Sequence, residues 1–297
     1  MSVRFVFLTD SHYHASAPED FGAPKMLTRG REPLDASVLA INALSPDFVV
    51  HGGDLLCGGG SFEIPQEAYL QSIEDVAEAY SGFSAPIYYV PGNHDCDSEA
   101  RSFDAFAERF PLPEPLTVAE AAPGLRLALA NVYSPASPEG GGVWTDEHDE
   151  IFRQAGRVAV EDRCALILVI HEWVVPADGD AADRGVVGNS AALFRTLSEL
   201  PAAAAVFTGH RHINRIRLHG GFAVVDTACL IGFPLGFREI TLSSEGLMSC
   251  RFHQLDLPDL IQASYDRSSP EANAGWEGEI GDRDTDLLLP GLREVWS

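Results

Sequence analysis

Near the N-terminus runs Val3-Arg4-Phe5-Val6-Phe7-Leu8-Thr9-Asp10-Ser11-His12, an apolar, β-branched and aromatic stretch that turns abruptly polar from Thr9. A short run of this composition predicts a buried strand, with its polar end where the strand finishes. The same figure recurs four times. Residues 47–51 lead into Gly52-Gly53-Asp54, and residues 87–90 into Pro91-Gly92-Asn93-His94-Asp95. Residues 165–170 end at His171, and residues 204–208 at Gly209-His210-Arg211-His212. Further strand-like runs cover 125–132 and 222–226, while helix-like stretches lie at 34–44, 66–80, 102–110 and 191–200. Alternating strands and helices predict an α/β protein with buried, largely parallel strands. The last third is richer in strands, with 237–242 and 247–253 flanking the turn Ser244-Glu245-Gly246. No repeat at solenoid periods is present.

In open α/β sheets, ligands bind outside the carboxyl ends of the strands. Five polar clusters at that edge bring together two carboxylates (Asp10 and Asp54), one amide (Asn93) and several imidazoles. This donor set suits metal ions of borderline hardness such as manganese, iron or zinc. Side chains alternate along an extended segment, which predicts that Asp10 and His12 point to one side, as do His210 and His212. A single DxH or GxH triplet carries no weight, since such triplets arise by chance. Five clusters in this order, each closing a predicted strand, do not arise so easily.

The series Asp10-Ser11-His12, Gly53-Asp54, Gly92-Asn93-His94-Asp95, His171 and Gly209-His210-Arg211-His212 resembles the motif set of the calcineurin-like metallophosphoesterase superfamily. The resemblance spans residues 3–212. It implies a four-layer α/β/β/α sandwich of two mixed β-sheets flanked by helices, with a catalytic domain over residues 1–256. It further implies two divalent or trivalent metal ions, manganese, iron or zinc. Asp10, His12, Asp54 and His212 would hold the first; Asn93, His171 and His210 would hold the second, with Asp54 bridging. Such a pair of ions activates a bridging water and presents hydroxide to phosphorus. By the same resemblance His94 stays off the metals and faces the substrate, giving a proton to the leaving oxygen or a hydrogen bond to phosphate. Asp95 would orient the turn around it.

One departure narrows the substrate. Protein serine/threonine phosphatases of this superfamily carry GDxxDRG at the second motif. Here Gly53-Asp54-Leu55-Leu56-Cys57-Gly58-Gly59 places Cys57 and Gly58 at the Asp and Arg positions. The arginine that would grip phosphate is missing, which argues against a protein phosphatase. The DSH, GNHD and GHRH forms are similar to the branch acting on cyclic nucleotides and glycerophosphodiesters, which implies a small phosphodiester as substrate. The alternatives are a phosphomonoesterase or nucleotide pyrophosphatase with the same site, and a non-catalytic scaffold. A scaffold would have lost ligands or the catalytic histidine, and here all are present.

Other polar residues carry plainer readings. Arg211 is either a phosphate contact or a solvated residue between two inward-facing histidines, the second being favoured. His14 reads as an adjacent loop residue, and His51 as a buried hydrogen-bonded histidine. His148, His219 and His253 carry no motif; Asn131, Tyr133 and Asn189 are weak candidates for substrate contact. Cys96 is a neutral neighbour of the third cluster. Loops at 58–65, 135–142 and 176–188 are where substrate selectivity would lie.

The 297 residues are 45% hydrophobic, enough for a sizeable core. A net charge of −24 repels polyanions, so nucleic acid and anionic membrane are poor partners. Bound cations reverse the sign locally, which leaves a small phosphate-ester substrate open. No apolar run reaches the roughly 18 residues of a membrane span. The N-terminal run is broken at Asp10, too early for a secretory signal. Five scattered cysteines, Cys57, Cys96, Cys164, Cys229 and Cys250, lack CxxC spacing and predict reduced thiols in a cytoplasmic protein. From Asp256 onward ten acids face three arginines, a net of 3 − 10 = −7, and apolar patterning fades. This acidic C-terminal tail, residues 257–297, is either disordered or wraps the body or a second copy in a homo-oligomer through Trp276, residues 287–289 and Trp296.

Overall fold

The structure, a computed structural model, describes residues 2–22, 24–59, 64–135, 141–176 and 185–296. The middles of the three loops singled out above therefore lie outside the described residues. In β1 (Ser2–Leu8), Phe5 and Phe7 face one way and Val6 and Leu8 the other, all buried. A strand covered on both faces needs apolar residues at every position, which is why the run reads as continuous instead of alternating. The chain then passes through α1 (Arg31–Leu44), β2 (Phe48–His51), α2 (Gln66–Tyr80) and β3 (Ile87–Tyr89), with β1, β2 and β3 parallel. A short α3 (Asp104–Ala107) leads to the antiparallel pair β4 (Leu116–Ala122) and β5 (Leu125–Ala130). Next come α4 (Asp146–Glu161), β6 (Ala165–Val169), α5 (Ser190–Glu199), β7 (Ala203–Thr208), β8 (Arg215–His219) and β9 (Phe222–Asp226). The chain closes with β10 (Gly236–Ser243), β11 (Leu247–Gln254), α6 (Pro258–Tyr265), α7 (Pro270–Glu277), α8 (Ile280–Arg283), β12 (Thr285–Leu288) and α9 (Pro290–Trp296).

These strands form two six-stranded sheets, ordered β12-β11-β10-β1-β2-β3 and β4-β5-β6-β7-β9-β8. Both are mixed: β5, β6, β7 and β9 run parallel, while β10, β11 and β12 are antiparallel neighbours. Phe5, Phe7 and Phe48 of the first sheet meet Leu127, Val169 and Phe207 of the second in the central core. The Phe5 ring stacks on Phe48 at 4.9 Å and meets Phe207 edge-on at 5.6 Å. The outer face of the first sheet packs on α1 and α2 through Leu34, Ile41, Tyr69 and Val76. That of the second packs on α4 and α5 through Phe152, Ala159, Leu193 and Leu197. The result is the α/β/β/α sandwich expected above. Helix α2 matches its predicted span, while the stretch predicted at 102–110 is helical only over Asp104–Ala107.

Beyond residue 256 the described chain is packed against the body. β12 pairs antiparallel with β11, and Leu289, Leu292 and Trp296 enter the central core. Among the described residues no helix is long and apolar enough to cross a membrane.

Candidate metal centre

The carboxyl ends of β1, β2 and β3 and those of β6 and β7 meet at one edge of the sandwich, and the five polar clusters lie there. The turns that carry them are held by cross-strand backbone bonds. Asp10 N–H donates to Gly53 C=O at 3.0 Å, His12 N–H to Asp54 C=O at 3.0 Å, and Gly209 N–H to His171 C=O at 3.0 Å. The two histidine-bearing segments are not extended, contrary to the alternation argument. Asp10, His12, Asp54, His210 and His212 all have positive φ, between 39° and 68°. Left-handed backbone costs a non-glycine residue on the order of 1 kcal/mol or more and clusters at functional sites. Here it is what aims Asp10 with His12, and His210 with His212, inward. Gly92 shows how tightly the turns approach: a Cβ there would lie 2.2 Å from Asp54 Oδ1.

Among the described residues the donors form three overlapping groups: Asp10–His12–His212, His12–Asp54–His94 and Asp54–His171–His210, with the ligand atoms of each group within 4.8 Å of one another. His212 Nε2 lies 3.1 Å from Asp10 Oδ1, and His12 Nε2 lies 3.0 Å from His212 Nε2. Asn93 Oδ1 lies 3.0 Å from His210 Nδ1. Asp54 stands between the groups. Its Oδ1 accepts from His94 N–H at 2.7 Å, and its Oδ2 lies 3.0 Å from His171 Nε2 and 3.6 Å from His12 Nε2.

His171 tests the fit of a metal. Its Nδ1 faces the Gly52 carbonyl at 2.8 Å and must donate to it, so Nε2 is the coordinating nitrogen. That Nε2 is buried and makes no hydrogen bond, although Asp54 Oδ2 is 3.0 Å away. A nitrogen and a carboxylate oxygen converging without a hydrogen bond call for a cation that both can meet. The residues present fit a metal ion.

The electrostatics agree. Burial alone would raise Asp10, but His212, His12 and His171 around it hold its carboxyl well below the usual range. Asp54 is likewise held low against burial, by His171 and His94. Burial pushes His210 down to about 3 and holds His12 well below its ordinary value. Against burial, Cys229 and Asp10 raise His212 to about 9, and Asp54 and Asp10 raise His171.

The remaining candidates fall as follows. The side chain of His94 faces the Gly58 carbonyl, with Nδ1 at 2.7 Å. Asp95 is fully buried; its oxygens accept from Leu56 N–H at 2.9 Å and Gly92 N–H at 2.8 Å. It thereby ties the third cluster to the second. His51 is fully buried, accepting from Gly53 N–H at 3.2 Å and facing Ser11 Oγ at 3.2 Å. The Arg211 guanidinium lies 5.5 Å from the Trp173 ring centre. His14 takes Ser16 N–H at 3.1 Å in its own loop, and Asn189 donates to Trp144 C=O at 3.0 Å. His148 caps α4 with Thr145. Cys96 donates to the Asn93 carbonyl, and all five cysteines are free and buried.

Sequence reasoning passed over Glu172. It is fully buried, neither carboxylate oxygen has a hydrogen-bond partner, and burial pushes it up to about 7. An acid directly after a ligand-type histidine at a strand end was the available signal.

Fold and site together define a double-sheet sandwich whose joined edges carry buried His/Asp groups that could hold metal ions. The calcineurin-like phosphoesterase profile matches residues 3–214, and the chain belongs to that family, whose members use a dinuclear metal centre to hydrolyse phosphate esters. No curated protein sequence matches it significantly. Its fold is similar to that of a dimetal phosphatase from Danio rerio, with TM-score 0.68 at 15% identity over 84% of this chain and 95% of that one. It is also similar to a candidate 5′-nucleotidase from Staphylococcus aureus, with TM-score 0.53 at 14% identity over 82% of this chain and 51% of that one. A third is GAP50, the anchor in the inner membrane complex of Plasmodium, with TM-score 0.52 at 14% identity over 90% and 95%.

Proposed function

We propose that the protein hydrolyses a small phosphodiester, of the cyclic-nucleotide or glycerophosphodiester type, at a dinuclear metal centre. Asp10, His12, Asp54 and His212 hold one ion; Asn93, His171 and His210, with Asp54, hold the other. The observation that carries this is Asp54, whose Oδ2 is 3.0 Å from His171 Nε2 and 3.6 Å from His12 Nε2, within reach of both groups. Two such ions, when bound, supply Lewis acidity and an activated water for in-line attack at phosphorus.

The chain's own groups do the rest. The Gly58 carbonyl accepts from His94 Nδ1–H, so the ring must be doubly protonated, an imidazolium, for Nε2 to donate to the leaving oxygen or a phosphate oxygen. Asp95 holds the turn that presents Asn93 and His94. Gly58 speaks against a protein phosphatase: a Cβ there would sit 2.1 Å from the Cys96 carbonyl oxygen, so the arginine of those enzymes has no room. Five free, buried thiols support a cytoplasmic setting. GAP50 is an anchor, but here the full donor set and His94 favour catalysis over scaffolding.

The test compares bis(4-nitrophenyl) phosphate with 4-nitrophenyl phosphate, using chelator-stripped protein reloaded with manganese. Faster, metal-dependent cleavage of the diester is expected. Preference for the monoester would move the substrate class to phosphomonoesters at the same centre.

A further inference from the structure

Of the four strands that edge the two sheets, β4 is the longest: seven residues, against three in β3, four in β12 and five in β8. An edge strand presents a row of unpaired backbone groups and invites another strand unless something blunts it. β8 is partly covered, since Ile216 N–H donates to Asp282 Oδ1 of α8 at 3.2 Å. β4 is paired on one side only, with β5, and a bulge between Glu120 and Ala122 interrupts that pairing. Thr117, Val118 and Glu120 are exposed along it.

Beside this edge lies α4. As the crossover between parallel β5 and β6 it runs against them, and therefore along β4, which is antiparallel to β5. A groove of about 650 Å³ separates α4 from β4; Val118, Ile151 and Val158 line it with apolar surface, and Glu120, Arg126, Glu150 and Arg157 supply its charge.

Two observations say what fits there. The chain holds 44 acids against 20 bases, yet this groove carries two of each, a net charge of zero. A strongly basic or acidic partner gains little from such a lining, whereas a second copy of this acidic chain can approach here without local repulsion. The charges are also ordered for self-pairing. Glu150, Gln154 and Arg157 are exposed on one face of α4, at i, i+4 and i+7, and Arg157 Nη2 donates to Gln154 Oε1 at 2.6 Å. A twofold axis at Gln154 sets two copies of α4 antiparallel and brings Glu150 of each opposite Arg157 of the other.

We propose that the β4–α4 edge is the contact surface of a symmetric homodimer. β4 pairs antiparallel with its copy about Ala119, midway between Val118 and Glu120, and joins the two six-stranded sheets across the axis. α4 lies antiparallel to its copy across the same axis, with two Glu150–Arg157 pairs flanking the apolar lining. A twofold contact of this kind closes on itself and uses up the free edge. None of the metal-ligand residues lies in it, so dimerisation and metal binding are separable.

The test is sedimentation of full-length, manganese-loaded protein, with an expected mass twice the 32.1 kDa of one chain. Glu150→Arg and Arg157→Glu each set like charges opposite one another twice per dimer. Each is expected to weaken the dimer on the order of 100-fold, with circular dichroism and manganese content unchanged. Mixed in equal amounts, the two variants present complementary faces, and a heterodimer close to wild type in affinity is expected. Recovery on mixing would also exclude misfolding as the cause of the loss. In the wild type alone, amides of residues 117–121 should lose protection from hydrogen exchange as dilution separates the copies. A monomer at every concentration would overturn the proposal and leave the groove to a small ligand or a different chain. So would a dimer indifferent to both reversals, or folded variants that fail to recover when mixed.

Discussion

Asp54 and His171 reach each other from different sheets, Oδ2 to Nε2 at 3.0 Å, yet no hydrogen bond joins them. Asp54 follows β2 in the first sheet and His171 follows β6 in the second, so their meeting closes the seam between the two halves of the sandwich. A buried carboxylate so placed is tolerable only with cationic partners around it. Asp54→Asn removes the charge while keeping the shape and the His94 N–H contact at Oδ1. Turnover should vanish and the protein should lose both ions on dialysis, read by elemental analysis. Retention of two tightly held ions would contradict the shared role of Asp54.

On the proposed mechanism, His94 separates metal binding from catalysis. Its backbone touches Asp54, but its side chain is held by the Gly58 carbonyl, with Nδ1 at 2.7 Å. His94→Ala should therefore keep its manganese and lose on the order of 10²–10⁴ in turnover, the range for an acid–base group. If the rate loss disappears with a substrate whose leaving group needs no proton, the histidine is a proton donor. If the loss persists, it acts on the phosphate. Near-normal turnover on every substrate would remove it from the mechanism.

The ligand clusters were legible in the sequence because each closes an apolar run, four of them strands buried on both faces and the fifth, β3, a half-buried edge strand. The four-layer arrangement came through the motifs' resemblance to a family, since a run of apolar residues does not say which sheet it joins. What escaped was structure stabilised by docking. β4 is an edge strand with Thr117, Val118 and Glu120 exposed, and α4 begins Asp146-Glu147-His148-Asp149, hiding a narrow buried stripe through Phe152, Ala155 and Ala159. The C-terminal helices are four to eight residues long, too short to be stable alone, and owe their form to the body beneath them.

Asp149 gives a pH dependence away from the metal centre. Its carboxylate accepts from Arg153 Nε at 2.7 Å, from Trp144 Nε1 at 3.3 Å and from Thr196 Oγ1. Burial works to raise it, but these donors hold it below its ordinary value. A depressed carboxyl stabilises the folded state above its unfolded pKa, and that contribution fades as pH falls through the folded value. Asp149→Asn should thus be less stable than wild type by about 1 kcal/mol at neutral pH. Thermal melts should show the gap narrowing below about pH 4, where the unfolded carboxyl begins to protonate. A gap of constant size down to pH 2.5 or so would mean that shape, not charge, accounts for it.

Arg238 joins the acidic tail to the metal centre. It is fully buried in β10, and its Nη2 donates to Asn214 Oδ1 at 2.9 Å, Asp226 C=O at 3.0 Å and Asp282 C=O at 2.8 Å. Nη1 donates to Arg283 C=O at 3.0 Å, and Nε to Thr227 Oγ1 at 3.0 Å. Asn214, two residues beyond His212, in turn donates from its backbone to Trp276 C=O at 3.0 Å and from its side chain to Glu277 C=O at 3.3 Å. One guanidinium thus holds together the His212 loop, the end of β9 and residues 276–283. Arg238→Met keeps the volume but strips several buried carbonyls of donors, each worth about 1–3 kcal/mol. Destabilisation of about 3–5 kcal/mol is expected, as when a buried charged partner is removed. Hydrogen exchange should rise first across 276–284, and manganese affinity should fall although no ligand has changed. Faster exchange there with unaltered manganese binding would show that the tail packs on the body without steadying His212.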